Sequence, residues 1–445
     1  MRVLVLVDGE HYPPVTRWGI EAARALGFEP VEALMVGGIE KLRPGEPEDL
    51  GVPVRDAGGD PSKSLAAAIE ELTPSGLDGV LDLSDEPVLG YRERMELAAI
   101  ALVRGLPYIG ADFRLDPPFD GPPLDVPTLG VIGTGKRTGK TAIAGAVGRT
   151  AAGMGANPIV VAMGRGGPAE PQVARAGSVT VDRLLELVRS GEHAASDYLE
   201  DGMTSGVTTV GARRSGGGLA GRPIATNVRE AAEVAVALGA GLLVLEGSGS
   251  AVPTVPWDAG VLVVPASVPE EYLAGYLGPF RLLLSDLVVV TMGDSPAGLE
   301  NLPTLRSHVE RLHGDARLIV TGFHPQPLGD VEGRDVFFTT TAPGSVAARQ
   351  VGSLERNHGC RVVGWSDRLA DRAGLARELD GAGGYEVLLT ELKAAAVDVA
   401  CERALARGAQ VVFVDNRAES LEGEPDLEAA LRQTIELAGE RKSHR

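Results

Sequence analysis

The sequence predicts an α/β protein: a mostly parallel sheet with helices on both faces, plus a smaller N-terminal α/β domain. Two observations lead there. Short buried apolar runs alternate with helical apolar spacing along most of the chain, as strand–helix–strand units do. The composition is 44% apolar but only 4% aromatic, with 59 glycines and 30 prolines. That suits an Ala/Val/Leu/Gly-rich α/β enzyme with tight turns better than an all-β sandwich. At 445 residues the chain is long for one core, so two or three domains are expected.

The first element is "RVLVLVDG", a strand ending at Asp8-Gly9. One basic residue, an apolar run of five and then Asp and Glu make a first strand, not a signal peptide. Val15 to Leu26 has helical apolar spacing, "VEALMVGG" and "GVLDLSD" read as buried strands, and a helix is expected near Tyr91 to Arg104. Together they predict a small parallel-sheet domain over residues 1–115. "LDPPFDGPPLDVPTLG" then carries five prolines between Leu115 and Gly130. Proline removes a donor and fixes φ, so 116–130 reads as a linker. The strand "TLGVIGTG" leads into a second α/β unit, 131–345. A third run, 346–445, contains "CRVVGW", "YEVLLTELKAAAVDVACERALARG" and "AQVVFVDN" and again reads strand, helix, strand. Sequence leaves open whether this run is a separate subdomain or the far half of the second sheet. The charged stretch from about Arg417 is expected to be a surface helix.

Formal charge is −19, which argues against nucleic acid and anionic membrane as partners. No apolar run reaches transmembrane length, and a cytoplasmic protein is expected. Cys360 and Cys401 are remote and lack C-x-x-C spacing, so neither a disulfide framework nor a zinc site is indicated. A homodimer is expected as the commonest assembly. The charge is uneven: Gly130 to Arg222 holds 11 Lys/Arg against 7 Asp/Glu.

Within that basic region lies "VIGTGKRTGKTAIAG", Val131 to Gly145. A strand runs into it and a helix follows, the setting a phosphate-binding loop requires. The consensus G-x-x-x-x-G-K-[ST] would put glycine at 134, where this chain has Thr134, with Gly133 one place early. "GTGKRTGKT" instead resembles the G-T-x-x-x-x-G-K-T form of dethiobiotin synthetase and its relatives, which implies a P-loop NTPase-type sheet. Gly133, Thr134, Gly135, Lys136, Arg137, Thr138 and Gly139 would turn backbone N–H groups toward phosphate oxygens, helped by the positive end of the helix. Lys140 would reach the β- and γ-phosphates of ATP, and the Thr141 hydroxyl would ligate Mg²⁺. An ordinary glycine-rich turn is the competing reading, disfavoured by G-K-T at the helix start. A second segment, "GLLVLEGSGSAVPTVPWDAG" from Gly241, is an apolar strand ending at Glu246. The same relatives carry a strand ending E-G-x-G-G. Glu246 would hold Mg²⁺ directly or through water; taken alone, the segment is a loop after a buried strand.

"VAMGRGGPAEPQV" (Val161 to Val173) follows the next expected strand. "ASDYLEDGMTSGVTTVGARRSGGGLAGRP" (Ala195 to Pro223) sets Arg213, Arg214 and Arg222 around a glycine triplet. With "LVDGEHYPPV" at the start and "FFTTTAPGS" and "LLTELKAAAVDVA" later, these segments resemble the cyclic 2,3-diphosphoglycerate synthetase family over nearly the whole chain. The resemblance implies ATP-dependent closure of an intramolecular phosphoanhydride across 2,3-bisphosphoglycerate, releasing ADP and phosphate. Lys140, Lys136, Arg165, Arg213 and Arg214 would then be catalytic. Arg165, Gly166, Gly167, Arg213, Arg214 and Arg222 would bind the substrate. Such a substrate carries two phosphates and a carboxylate and must meet an anionic nucleotide. Unit charges at 4 Å repel by about 1 kcal/mol in water and about 4 kcal/mol near a protein surface. Guanidinium forks pair bidentately with phosphate oxygens, and glycines beside them let the backbone approach.

Other residues admit two readings each. Glu170 is placed to sit near a metal or to face water. Asp8, Glu10 and His11 lie at a strand end, where site groups gather in open α/β sheets, although His11 is as readily structural. Glu391 and Lys393 are site groups, or a helix-start carboxylate and a solvated lysine. Asp294 reads a nucleotide base or caps a helix. Other functions compete as well. A P-loop kinase acting on a phosphoglycerate or another small anionic metabolite, without ring closure, needs the same nucleotide site. A nucleotide-driven switch or metal-insertion chaperone usually carries Cys/His clusters, whereas here the histidines are scattered. A carbon–nitrogen ligase similar to dethiobiotin synthetase has less use for the extra arginines.

Overall fold

The computed structural model describes residues 1–38, 49–393 and 395–444. Its N-terminal part is a six-stranded sheet of β1 (Arg2–Val7), β2 (Glu29–Met35), β3 (Val54–Asp56), β4 (Gly79–Asp82), β5 (Tyr108–Ile109) and β6 (Arg114–Leu115). The order is β3-β2-β1-β4-β5-β6, parallel except for the edge strand β6. The apolar run Val3 to Val7 is buried, as a central parallel strand covered on both faces must be. Val3, Val5 and Val7 pack on α1 (Pro13–Ala25), while Leu4 and Leu6 face α2 (Pro61–Leu72) and α3 (Tyr91–Val103). Prolines open α1, where the missing N–H has no intrahelical partner to lose.

The second unit opens with β7 (Thr128–Gly133), so the proline-rich connection stops at Pro127 and not at residue 130. Then come α4 (Lys140–Gly153), β8 (Pro158–Gly164), β9 (Gln172–Ala174), α5 (Val181–Arg189), α6 (Asp197–Ser205) and β10 (Thr208–Ser215). After them follow β11 (Ala225–Thr226), α7 (Val228–Ala237), β12 (Leu242–Glu246), β13 (Ala259–Pro265) and α8 (Gly278–Leu283). β14 (Leu287–Thr291), α9 (Pro296–His313) and β15 (Arg317–Pro327) complete the unit. Leu129 and Val131 of β7 face α4, whereas Ile132 faces the opposite layer of α7 and α9.

The third run contains β16 (Asp335–Thr339), α10 (Gly344–His358), β17 (Arg361–Ser366), α11 (Arg372–Gly381) and β18 (Val387–Thr390). It ends with α12 (Glu402–Ala406), β19 (Gln410–Ser420) and α13 (Leu427–Ser443). Residues 417–420 therefore belong to a strand, and the expected terminal helix starts only at Leu427. β15 and β19 pair antiparallel, which makes the third run the far half of one 13-stranded sheet. The order is β11-β10-β8-β12-β7-β13-β14-β15-β19-β18-β16-β17, with β9 on β10.

That antiparallel joint sets how the two halves of the sheet meet. β14 pairs with Arg317–Val320 only; beyond it, Thr321–Pro327 run on and pair with Val414–Ser420. β16 and β18 lie parallel to β19 and so run back toward the first half. The carboxyl ends of the two halves consequently face one another. The N-terminal unit docks through α3 on α8, with Leu277 and Phe280 buried in its core. Arg92–Glu270 at 2.6 Å and Arg311–Glu96 at 2.7 Å flank that contact. Among the described residues no helix is long and apolar enough to cross a membrane.

Candidate active site

The phosphate-type loop leaves β7 at the carboxyl edge of the central sheet. Its one-place shift has a steric reason. A Cβ on Gly133 would lie 2.8 Å from Thr138 Oγ1 and 3.0 Å from Lys140 Cδ, so the glycine belongs where those side chains fold across the strand end. Position 134 needs none. Within the loop the left-handed backbone falls on Arg137 (φ 57) and Gly139 (φ 89), and Thr134 is simply buried. Thr291 Oγ1 donates to Thr138 O at 2.8 Å, bracing the loop from the end of β14. Lys140 is 8% exposed and donates to Gly135 O at 2.8 Å and Thr138 Oγ1 at 3.3 Å. Burial pushes its ammonium down to about 8, against the opposing charges of Glu246 and Asp197.

Thr141 and Glu246 are brought together as their motifs suggested. Glu246 ends β12, in register with Val131 of β7, and accepts from Thr141 Oγ1 at 2.9 Å. Burial raises the Glu246 pKa. Asp201 of α6 is wholly buried, and burial together with the like charge of Glu246 raises its pKa well above the ordinary carboxylate value. A hydroxyl and a carboxylate beside a phosphate loop are hard oxygen donors, the set that suits Mg²⁺.

The loop that follows Glu246 borders a cavity of about 480 Å³ lined by Arg165, Arg214, Ser215, Gly216, Gly217, Ser250 and Ala251. Arg214 is 8% exposed and donates to Gly216 O at 2.6 Å and Ser248 O at 2.8 Å. A Cβ on Gly249 would come within 3.3 Å of Arg165 Nη2, 3.4 Å of Arg214 Nη2 and 3.8 Å of Lys136 Cγ. Two guanidinium groups and the aliphatic stem of Lys136 thus converge on one backbone position. Burial and the like charge of Arg165 lower the Arg214 pKa, so an anion in the cavity would relieve both effects.

Two expected substrate ligands lie elsewhere. Arg213 precedes Arg214 on β10, and strand pleating sends it to the other face. It is exposed, and its Nε donates to Gly167 O at 3.0 Å. Gly167 packs on β10 so closely that a Cβ would reach 1.9 Å from Ala212 O, and Gly166 is exposed beside it. Arg222 pairs with Asp120 at 2.7 Å and donates to Pro117 O at 3.2 Å. It fastens the proline-rich connection and does not join the cationic cluster. Arg137, Glu170 and Asp294 are exposed. Asp8 clamps its own loop: its Oδ1 accepts from the Glu10 and His11 N–H groups at 3.0 and 3.1 Å and lies 2.8 Å from His11 Nδ1.

Three family models cover the chain consecutively: the N-terminal domain (residues 2–116), P-loop domain (128–322) and C-terminal domain (327–417) of cyclic 2,3-diphosphoglycerate synthetase. A protein of that name from Rubrobacter xylanophilus is 46% identical over 429 residues, covering 95% of this chain and 96% of its own length. The chain belongs to the cyclic 2,3-diphosphoglycerate synthetase family. Proteins of that name from Methanothermobacter thermautotrophicus and Methanothermus fervidus are 42% and 40% identical over 98% of this chain, spanning 96% and 97% of their own lengths. Membership makes this chain an enzyme with a nucleotide-binding P-loop domain.

In this member of the synthetase family the site has a second acidic layer that sequence reading missed. Asp197, Glu200 and Asp201 lie three and four residues apart on α6, a spacing that puts them on one helical face and was legible in "SDYLED". Glu200 lies 3.2 Å from Lys393 Nζ, which its charge holds protonated above the ordinary range. Burial raises the Asp197 pKa, opposed by the charges of Lys140 and Lys393. Lys393 therefore faces the phosphate-loop side from the C-terminal half. Glu391 is a structural knot: it accepts from Thr340 Oγ1 and Asn416 Nδ2 at 2.8 Å, and from Thr341 N at 2.9 Å. Burial alone would raise the Glu391 pKa, but Lys393 and these donors hold it below its ordinary value.

Proposed function

We propose that this enzyme uses ATP and Mg²⁺ to cyclise 2,3-bisphosphoglycerate, forming the intramolecular phosphoanhydride and releasing ADP and phosphate. One observation carries the reading: Arg165 and Arg214 line a cavity bordered by the loop that follows Glu246, and both guanidiniums lie close enough to Lys140 to join burial in depressing its pKa. A nucleotide's phosphates and a second polyanion can lie there side by side.

Two steps complete the reaction. An oxygen of one substrate phosphate attacks the γ-phosphorus, the bond to ADP breaks, and a linear diphosphate forms. The second substrate phosphate then attacks the inner phosphorus of that diphosphate, and inorganic phosphate leaves as the ring closes. Phosphoryl transfer of this kind asks mainly for positioning and charge neutralisation. Lys140 supplies a buried ammonium for the transferred phosphoryl oxygens. Arg165 and Arg214 hold two phosphates close enough to react, each a fork matched to phosphate geometry. Lys136 bridges the cavity and the loop. Thr141 and Glu246 would hold Mg²⁺, which when bound neutralises charge on the nucleotide's phosphates.

The test is incubation of the purified protein with MgATP and 2,3-bisphosphoglycerate, followed by phosphorus NMR and mass spectrometry. A cyclic pyrophosphate with one phosphate released per ADP is expected. A product carrying an added phosphoryl group with no ring would favour the kinase reading, and no consumption of bisphosphoglycerate would overturn the proposal.

A further inference from the structure

Arg281 neither belongs to the phosphate loop nor lines the cationic cavity. It lies on α8, is 6% exposed, and among the described residues forms no ion pair with a carboxylate. A guanidinium taken out of water without a counter-charge is costly, and burial pushes its pKa down to about 10. Four hydrogen bonds to carbonyl oxygens offset that cost. Nε and Nη2 donate to Ser250 O at 3.2 and 2.7 Å, Nη2 also donates to Leu219 O at 3.2 Å, and Nη1 donates to Leu277 O at 2.9 Å.

Two of those three carbonyls belong to the loops around the cationic cavity. Ser250 lines it, and Leu219 lies two residues beyond Gly217 in the opposite loop. Arg214 bridges the same two loops from the cavity side, through Gly216 O and Ser248 O. A cavity for phosphates must present N–H groups and cations and keep carbonyl oxygens out of the way, because their partial negative charge repels the ligand. The two arginines divide that task. Arg214 gathers carbonyls at the wall, and Arg281 gathers them from behind, with its own charge left uncompensated.

The geometry points to Arg281 as a positioning residue that sets the two loops of the substrate cavity for a polyanion and leaves the nucleotide site to its own supports. This rests on the cavity being the bisphosphoglycerate site. Two full-chain variants test it, R281M and R281K, with KM measured separately for 2,3-bisphosphoglycerate and ATP, and with hydrogen exchange of residues 215–222 and 247–252. The expected result for R281M is a KM for bisphosphoglycerate raised at least tenfold, a KM for ATP within about twofold, and faster exchange in both loops; R281K should recover part of each. These fold-changes follow from losing hydrogen bonds that involve a charged group. Equal changes in both KM values, or unchanged exchange in the two loops, would overturn the proposal. Failure of both variants to fold would overturn it too, by making Arg281 a core residue. If the wild-type protein never consumes bisphosphoglycerate, the functional reading fails separately, while the exchange experiment, which needs no substrate, still decides whether Arg281 orders these loops.

Discussion

Lys140 folds back onto the Gly135 carbonyl and the Thr138 hydroxyl, where burial weakens its hold on its proton. A phosphate beside it would supply the counter-charge that the interior withholds. Lys140→Ala is expected to reduce turnover by about 10²–10³-fold, the usual effect of removing one preorganised electrostatic donor. Calorimetric titration with ADP should show binding weakened in parallel, and a variant with intact turnover would place the nucleotide elsewhere. Glu246→Gln keeps an oxygen to accept from Thr141 but removes the charge. Its activity should fall and recover partly at higher Mg²⁺, read from magnesium titrations of the rate; an unshifted magnesium dependence would remove Glu246 from the metal site. Gly133, Lys140, Thr141 and Glu246 were all legible in the sequence, because local spacing dictates a strand-to-helix turn and a strand end. The spacing that includes Asp201 was legible too, but its nearness to Glu246 was not, since that is made between a separate helix and the end of β12.

At the scale of the element, pleating decides which arginine counts. Arg213 and Arg214 are adjacent in sequence and equal in chemistry, yet β10 buries one against the cavity and sends the other to the Gly167 loop. Arg214→Ala should raise the KM for 2,3-bisphosphoglycerate by about 10–100-fold, given that hydrogen bonds to charged groups contribute about 1.5–3 kcal/mol. Arg213→Ala should change it less than about threefold. Steady-state kinetics on the two variants separates them, and comparable losses would mean that strand alternation does not govern the site. The doublet itself announced a basic strand end; which member faced the cavity depended on register against β8 and β11. The terminal helix was misplaced for a similar reason. Residues 417–420 are as charged as a surface helix, but β15 offers them a pairing edge that composition does not reveal.

For the whole molecule, the antiparallel β15–β19 joint turns the two halves of the sheet carboxyl end to carboxyl end, bringing Lys393 to Glu200. The N-terminal unit is held mainly by apolar contact, Phe280 being fully buried in its core. Phe280→Ala should destabilise that docking by about 3–5 kcal/mol, whereas Arg311→Ala, at an exposed ion pair with Glu96, should cost under about 1 kcal/mol. Urea titrations followed by a probe in the N-terminal unit compare the two, and a larger effect from Arg311→Ala would show that charge pairing holds the interface.

The chain's own order of residues was enough to establish the α/β class, the shifted phosphate loop, the carboxylate that ends β12 and the basic character of the neighbouring region, since each depends on periodicity or on spacing within one strand–turn–helix. Tertiary structure alone decided that the third run continues the central sheet, that Arg165 and Arg214 meet while Arg213 and Arg222 turn away, and that acidic residues of α6 back the loop. Those outcomes depend on strand register and on contacts between residues far apart in sequence, where side-chain direction is settled by packing and not by the neighbours along the chain.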